Sequence, residues 1–353
     1  TLGTSNYRAG VNAGDTIASG GNYNVTIGDE AGTALTTGDN NVAIGFEALT
    51  TEDANGFNTG VGYRALKTLN AGTDSYNTAL GYQTGLSLTT GIQNVLLGAT
   101  SGDALTDADY NIAIGVEALG SDTKGSKSVA IGYAALFDQN FTTSTDSHNT
   151  AVGYTAGTNI TTGIYNTLIG GLAGDAITTG NNNVAIGTLA LSTETQGHKS
   201  IAIGYGALST QNLTSSVDIY NIGVGHQAGT NLTTGGTNTL VGGLAGLAIT
   251  TGNSNSVVGF NALSANTTGA GNSVVGHNAL DANTTGAYNV AFGMSALGAN
   301  TTADNNSGFG HGALNANTTG YDNTAVGNIA LAANTTGNFL TAIGTRALSA
   351  NTT

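Results

Sequence analysis

The chain has 353 residues with 56 Gly, no Pro, no Trp and no Cys, and its formal net charge is −14. Without Cys it has neither a disulfide framework nor a thiolate metal site, the negative charge disfavours nucleic acid and anionic membranes as partners, and no run of 18 apolar residues is present that would span a membrane. Pro cannot donate to a central strand, so its absence favours long, uninterrupted strand stacking.

The N-terminal residues 1–21 match the rest of the chain poorly. Residues 6–10 read Asn-Tyr-Arg-Ala-Gly, which we interpret as a degenerate copy of the repeat that follows or as a cut end. Because the chain begins at Thr1 without Met and stops at Thr353 inside a repeat, we expect it to be a segment of a longer protein.

From residue 22 to residue 353 one pattern recurs without a linker: Asn, three mostly apolar residues, a central Gly, two variable residues, Ala, and then Leu or Gly. Fifteen of the eighteen spacings between the central glycines are 17 residues, and the others are 19, 21 and 21. A fixed period of this length indicates a stacked repeat, so we predict one continuous array and not two or three globular domains. The central glycines are Gly28, Gly45, Gly62, Gly81, Gly98, Gly115, Gly132, Gly153, Gly170, Gly187, Gly204, Gly225, Gly242, Gly259, Gly276, Gly293, Gly310, Gly327 and Gly344.

The three residues before each central Gly are predicted to form a strand. The first is mostly β-branched or Thr, the last is always large and apolar, and the middle one is usually small, as in Val42, Ala43 and Ile44. A strand that is apolar on both faces is typical of one buried on both sides. We expect one face to cover the chain's own core and the small-residue face to pack against a neighbouring copy of the chain.

Two kinds of repeat follow from the residue after the recurrent Ala, which is Leu in twelve copies and Gly in seven. Where it is Gly, a large aliphatic residue stands three positions later, as in Ile160 and Ile177, whereas this later position is polar in eleven of the twelve Leu copies. We predict that Leu280 and its equivalents fill the same core space that Ile160 and Ile177 fill in their own coils. Each coil then closes on a turn, often Thr-Thr-Gly, so the predicted coil has two short strands and two turns.

Three insertions lengthen the repeat, near Asn70, Asn140 and Asn212. They lie 70 and 72 residues apart, which indicates that a unit of four coils has been duplicated.

Asn is the fourth residue before the central Gly in sixteen copies. Its side chain bonds to nearby backbone in turns, and stacked copies can form an amide ladder. We predict this structural role for Asn41, Asn58, Asn77, Asn94, Asn111, Asn149, Asn166 and Asn183.

The residue directly after the central Gly is often a ring. We interpret these rings as a packing stripe between chains or coils, with an aromatic track for glycans as the alternative. The residues are Phe46, Tyr63, Tyr82, Tyr133, Tyr154, Tyr205, His226, Phe260, His277 and His311.

No metal or catalytic centre is predicted. The three histidines of that row lie in non-adjacent coils, and a metal needs ligands that converge. Asp107 and Asp109 could hold Ca²⁺, but no calcium-loop motif surrounds them, so solvated turn residues are favoured. Asn-x-Thr sequons such as Asn266 and Asn283 are interpreted as turn chemistry, with glycosylation only in a source that has the machinery.

The repeat resembles two known families. Residues 149–154 (Asn-Thr-Ala-Val-Gly-Tyr) and 323–327 (Asn-Thr-Ala-Val-Gly) are similar to the head repeats of YadA-type trimeric autotransporter adhesins. Residues 262–269 (Ala-Leu-Ser-Ala-Asn-Thr-Thr-Gly) look like repeats of bacteriophage tail fibres. The resemblance implies a left-handed parallel β-roll, three chains around one axis, and attachment to a cell surface, although the adhesin repeat is shorter.

We therefore predict an all-β chain, a parallel β-solenoid of about nineteen 17-residue coils, assembled as a homotrimer without cofactors. The expected function is that of a non-enzymatic, extracellular fibre shaft, in a virion tail fibre or a bacterial surface appendage, that presents a distal tip and binds host-surface glycans. The alternative is an ice-binding solenoid that uses the Thr-rich turns. A polysaccharide-degrading fibre would need carboxylates clustered in a groove, which the sequence does not indicate.

Overall fold

The computed structural model describes residues 3–353, which form two compact units that divide between residues 179 and 180. Each unit is a parallel β-solenoid with coils about 17 residues apart, and the described residues include no helix, so the predicted fold is confirmed. The strands of the first unit are β1 (Tyr7–Ala9), β2 (Val25–Ile27), β3 (Val42–Ile44), β4 (Thr59–Val61), β5 (Thr78–Leu80), β6 (Val95–Leu97), β7 (Ile112–Ile114), β8 (Gly125–Ser126), β9 (Val129–Ile131), β10 (Thr145–Asp146), β11 (Thr150–Val152) and β12 (Thr167–Ile169). Those of the second unit are β13 (Val184–Ile186), β14 (Ile201–Ile203), β15 (Ile222–Val224), β16 (Thr239–Val241), β17 (Ser256–Val258), β18 (Ser273–Val275), β19 (Val290–Phe292), β20 (Ser307–Phe309), β21 (Thr324–Val326) and β22 (Thr341–Ile343).

Equivalent residues of successive coils lie directly opposite one another. Strand β2 pairs in parallel with β3, so that Val25 faces Val42 and Ile27 faces Ile44. The N-terminal strand β1 joins the same ladder through Tyr7, which faces Val25. Every residue type that recurs at one position of the repeat therefore forms a row along its unit.

The prediction of two strands in each coil is wrong. Within residues 3–353 only the three-residue strand before the central Gly recurs from coil to coil. The short strand β10 lies in one lengthened coil and pairs with β8 in the coil before it. Most coils place several non-glycine residues in the left-handed region; Arg64 (φ 58°), Leu66 (φ 51°) and Tyr76 (φ 52°) do so within one stretch. These residues turn the chain too often for a second extended segment to form.

The central glycines are required by both conformation and space. Gly62 has φ 139°, which L side chains rarely adopt, and a Cβ built there would lie 2.1 Å from the carbonyl oxygen of Gly81 in the next coil. The same close approach recurs from coil to coil, which explains the invariance of this position.

The prediction that the small-residue face of the strand packs against a neighbouring copy is wrong, because this face lies in the chain's own core. Middle residues such as Ala43 and Val257 are fully buried in the core, whereas first and last residues are half-buried or exposed, with Leu80 at 47% exposure. The small residues therefore do not form the face that awaits a second layer. Their size is set by the core, because the middle residue is Leu only in coils with Gly after the recurrent Ala, at Leu96, Leu168 and Leu240.

The predicted exchange of core positions is confirmed. Leu280, Ile160 and Ile177 are all fully buried. A Cβ added to Gly174 would lie 2.9 Å from the Cδ1 atom of Ile177, so the aliphatic side chain occupies the space that Leu fills in the other coil type. The backbone is the same in both types, since Gly174 has φ 55° and Leu280 has φ 53°.

Candidate interaction face

The first and last residues of the three-residue strands form one surface in each unit, which we call the outward face. From β2 to β22 none of these residues in the three-residue strands is charged, and the last residue of each is Val, Ile, Leu or Phe. Leu80, Ile169, Val258 and Ile343 are 47%, 38%, 45% and 72% exposed. The first residues are Val, Ile, Thr or Ser, so the apolar part of the outward face is the row of last residues. A continuous row of exposed or half-exposed apolar side chains is typical of an interaction site.

The ring row, defined as the residues directly after the central glycines, lies at the border of the outward face, one glycine away from it. Phe46 stacks on Tyr63 with ring centroids 5.5 Å apart, and Tyr63 stacks on Tyr82 at 5.2 Å. Further stacked pairs are Tyr133–Tyr154, Tyr205–His226 and Phe260–His277, at 5.4, 5.4 and 5.6 Å. The remaining member, His311, lines a shallow groove with Ser295 and Asn315.

Stacking limits what the ring row can bind. The interplanar angle of Tyr63 and Tyr82 is 8°, so each ring covers one face of its neighbour. The rings nevertheless remain exposed, at 37% for Tyr63 and 62% for Tyr154. Tyr63 is stacked on both faces and offers its edge and hydroxyl, whereas each ring of the three pairs stacks on one face only. Sugars that stack need open ring faces, so they are limited to the outer faces of these stacks.

A second ring row, which was not predicted from the sequence, lies five residues before the central Gly. Phe57 stacks on Tyr76 at 4.9 Å and His148 on Tyr165 at 5.5 Å. The available signal was a ring directly before the recurrent Asn, a position at which φ is positive and a bulky residue is unusual. Its members are Tyr23, Phe57, Tyr76, Tyr110, His148, Tyr165, Tyr220, Tyr288 and Phe339.

The recurrent Asn before each strand is fully buried and bonded to both neighbouring coils. The backbone N–H of Asn58 donates to Oδ1 of Asn41 at 3.0 Å, while Nδ2 of Asn41 donates to the carbonyl of Asn55 at 3.0 Å. The eight residues singled out by sequence, Asn41, Asn58, Asn77, Asn94, Asn111, Asn149, Asn166 and Asn183, all have no exposed surface. These bonds fix the coil-to-coil register behind the outward face.

A second amide ladder lies in the second unit, seven residues after the central glycines. Nδ2 of Asn283 donates to Oδ1 of Asn266 at 2.9 Å, and Asn300, Asn317 and Asn334 continue the ladder at 3.0, 3.0 and 2.9 Å. These are sequon asparagines, and all five are fully buried. Their amide nitrogens are therefore inaccessible to a glycosyltransferase in the folded protein.

In the coil before each insertion, a carboxyl side chain takes the buried position seven residues after the central Gly. Oδ2 of Asp122 accepts from Nε2 of Gln139 at 2.6 Å, and Oε2 of Glu194 accepts from Nε2 of Gln211 at 2.9 Å. At the third site, Glu52, the next coil supplies Leu69, and Oε2 of Glu52 has no partner. Burial raises the pKa of Glu52 and that of Asp122 above their ordinary values.

One histidine lies within hydrogen-bond distance of a hydroxyl nucleophile. Nε2 of His198 is 2.6 Å from Oγ of Ser216, but its Nδ1 accepts from the backbone N–H of Asn181 at 2.8 Å. Neutral His198 therefore carries its proton on Nε2, the nitrogen that a general base for Ser216 would need free.

The acidic residues considered for Ca²⁺ have separate partners. Asp107 lies 3.5 Å from Nζ of Lys124, and Oδ1 of Asp109 accepts from the N–H of Ile92 at 2.8 Å. Residues 3–353 contain no group of three or more His, Asp or Glu side chains positioned to share a metal ion. Since they contain no helix, they also have none that could cross a membrane.

Comparison with known protein families and with curated proteins finds no match for the chain.

Proposed function

We propose that the chain is a structural and adhesive fibre segment that assembles with copies of itself through the outward face, as a homotrimer. The single observation that carries the proposal is the row of half-exposed Val, Ile, Leu and Phe side chains at the last strand position, which no charged residue interrupts in either unit. The trimeric stoichiometry, an extracellular location and attachment to a cell surface rest on the resemblance to adhesin heads and tail fibres.

A second copy of the chain is the occupant that fits this surface best. The outward face repeats with every coil, so a partner that covers it along its length must repeat with the same period. A second copy of the chain has this period because it has the same sequence. The chain carries 21 acidic and 7 basic side chains, but none of them lies on the outward face from β2 to β22. A partner recognised by charge would therefore find no charged group to bind there.

The ring row supports the same assignment over glycan stacking. Its rings lie beside the outward face and already share their faces with each other. Covering their exposed edges in an interface removes further apolar surface from water, at about 25 cal/mol for each Å². Glycan binding at the rings remains part of the proposal only for ring faces that no neighbour covers.

Sedimentation equilibrium tests the proposal. The unmodified chain should give a mass of three times 34.7 kDa. Leu80→Lys and Ile169→Lys, which place a charge on side chains that are 47% and 38% exposed in the single chain, should give monomers with an unchanged circular dichroism spectrum.

Thr162→Lys, in an exposed turn away from the strands, is the matched control and should assemble like the unmodified chain. A monomeric unmodified chain, or Leu80→Lys and Ile169→Lys variants that assemble normally, would overturn the proposal.

Ice binding is the less well supported function. In the Thr-Thr-Gly turns the first Thr uses its hydroxyl within the protein, since Oγ1 of Thr267 donates to the carbonyl of Thr284 at 3.1 Å and Oγ1 of Thr284 to that of Thr301 at 3.1 Å. Only the second Thr is exposed, which leaves a single row in place of a two-dimensional array. An ice-recrystallisation assay separates the two functions.

A further inference from the structure

Three of the five histidines lie in the ring row of the second unit, at His226, His277 and His311. Each is exposed and follows directly on a central glycine, next to the last residue of β15, β18 or β20. His226 and His277 hold their ring planes by stacking on Tyr205 and Phe260, at 5.4 and 5.6 Å. The equivalent residue in the coil after His311 is Asn328.

We infer that these histidines make assembly through the outward face dependent on pH, a conclusion that rests on the proposed function. An imidazole at the border of an apolar interface loses water when the interface closes. Loss of water penalises the charged form of the ring much more than the neutral form. Protonation therefore favours the separated chains.

The residues on either side of the three rings along the row carry no charge. His226 lies between Tyr205 of the preceding coil and Gly243 of the following one, and His311 lies between Met294 and Asn328. His277 lies between Phe260 and Met294, and the carboxylate of Asp281 in its own coil interacts with it electrostatically. Asp281 attracts the His277 cation in the free and in the assembled chain, so it offsets part of the penalty at His277. The pH dependence is therefore expected to come mainly from His226 and His311.

The magnitude follows from linkage. Excluding one imidazolium from the assembled state raises the dissociation constant by up to about tenfold for each pH unit over which the ring of the free chain is protonated. Between pH 8.0 and pH 5.5, complete exclusion of one imidazolium should therefore raise the dissociation constant of the unmodified chain by about tenfold, and exclusion of a second ring should raise it further.

The test is sedimentation of the full chain at both pH values, beside a variant with His226→Asn, His277→Asn and His311→Asn. Asn is the natural choice because Asn328 holds the same position in the repeat. The variant should remain assembled at both pH values, while His148 and His198, which it retains, report any contribution from elsewhere.

An unmodified chain that is equally assembled at both pH values overturns the inference and leaves the proposed function standing. A variant that dissociates at pH 5.5 as readily as the unmodified chain also overturns it. An unmodified chain that is monomeric at both pH values overturns the proposed function and the inference with it.

Discussion

At the scale of the residue, the three buried carboxyl groups show how one missing amide changes a site. Asp122 and Glu194 each receive an N–H from a Gln in the next coil, whereas Glu52 faces Leu69, which has nothing to donate. Glu52 retains bonds from the backbone and side chain of Asn55 at 3.2 and 3.1 Å, but its second oxygen is orphaned. A buried polar atom without a partner costs about 1–3 kcal/mol.

Glu52→Gln should therefore remove the part of the free energy of unfolding that is lost as pH rises. Burial raises the pKa of Glu52, so the folded state binds its proton more tightly than the unfolded chain does. The stabilisation from this proton is complete below the ordinary pKa of Glu and is lost as pH rises through the raised value. Denaturant titrations at pH 4 and pH 7.5 should show a smaller difference for Glu52→Gln than for the unmodified chain.

Leu69→Gln is the companion variant, because it supplies the amide that Gln139 and Gln211 supply elsewhere. Leu69→Gln should raise the free energy of unfolding at pH 7.5, and the loss of stability with rising pH should begin at a lower pH. Equal pH dependence in all three proteins would show that Glu52 does not titrate in this range.

The buried sequon ladder carries a prediction at the same scale. Asn300→Ala leaves Oδ1 of Asn283 without its donor, while Nδ2 of Asn317 keeps its bond to the carbonyl of Gly320 at 2.8 Å. The substitution should therefore lower the free energy of unfolding by about 1–3 kcal/mol. Asn315→Ala, at an exposed site in the next coil, is the control and should change it by less than about 0.5 kcal/mol. A neutral Asn300→Ala would contradict the role of the ladder.

At the scale of the element, the coil type depends on which position fills the core. The exchange between Leu280 and the later aliphatic residues was readable from sequence because both members are apolar and covary within the chain. The buried polar ladder was not, since Asn, Gln, Glu and Asp at that later position have the composition of an exposed turn. Burial at this position becomes evident only when stacking supplies each side chain with a partner from the next coil.

Leu280→Ala should cost about 2–5 kcal/mol, because the side chain is fully buried and its loss leaves a cavity. Leu280→Gly with Asn283→Ile should recover part of the loss from Leu280→Gly alone. Recovery is limited by the ladder, in which Asn283 bonds to Asn266 and Asn300, and not by the backbone, whose φ already suits Gly.

The same conversion should succeed better with Leu49→Gly and Glu52→Leu. Here the neighbouring coils carry Leu35 and Leu69 at the position of Glu52, and the substitution removes the orphaned carboxyl oxygen. Chemical denaturation gives the free energy of unfolding that each double variant recovers relative to its single Gly variant. This recovery should be larger for Leu49→Gly/Glu52→Leu than for Leu280→Gly/Asn283→Ile. The opposite rank would contradict the account of what limits the exchange.

At the scale of the whole molecule, sequence periodicity predicted the parallel solenoid and the position of its strand. It assigned the strand's two faces the wrong way round, because alternation shows that faces differ but not which one is inward. The size of the middle residue depends on the Leu or Gly across the core, a contact that periodicity does not contain. The large last residues of the strands thus lie outward and form the apolar row to which we assign the contact with a second copy.

The central claim is that a second copy covers the outward face. Because the chain has no Cys, a single thiol at Leu80→Cys reports its own surroundings, with Thr162→Cys as the exposed reference. We expect maleimide to label Leu80→Cys more slowly than Thr162→Cys, by at least about tenfold, and we expect dilution below the assembly concentration to abolish the difference. Equal labelling rates at every protein concentration would contradict it.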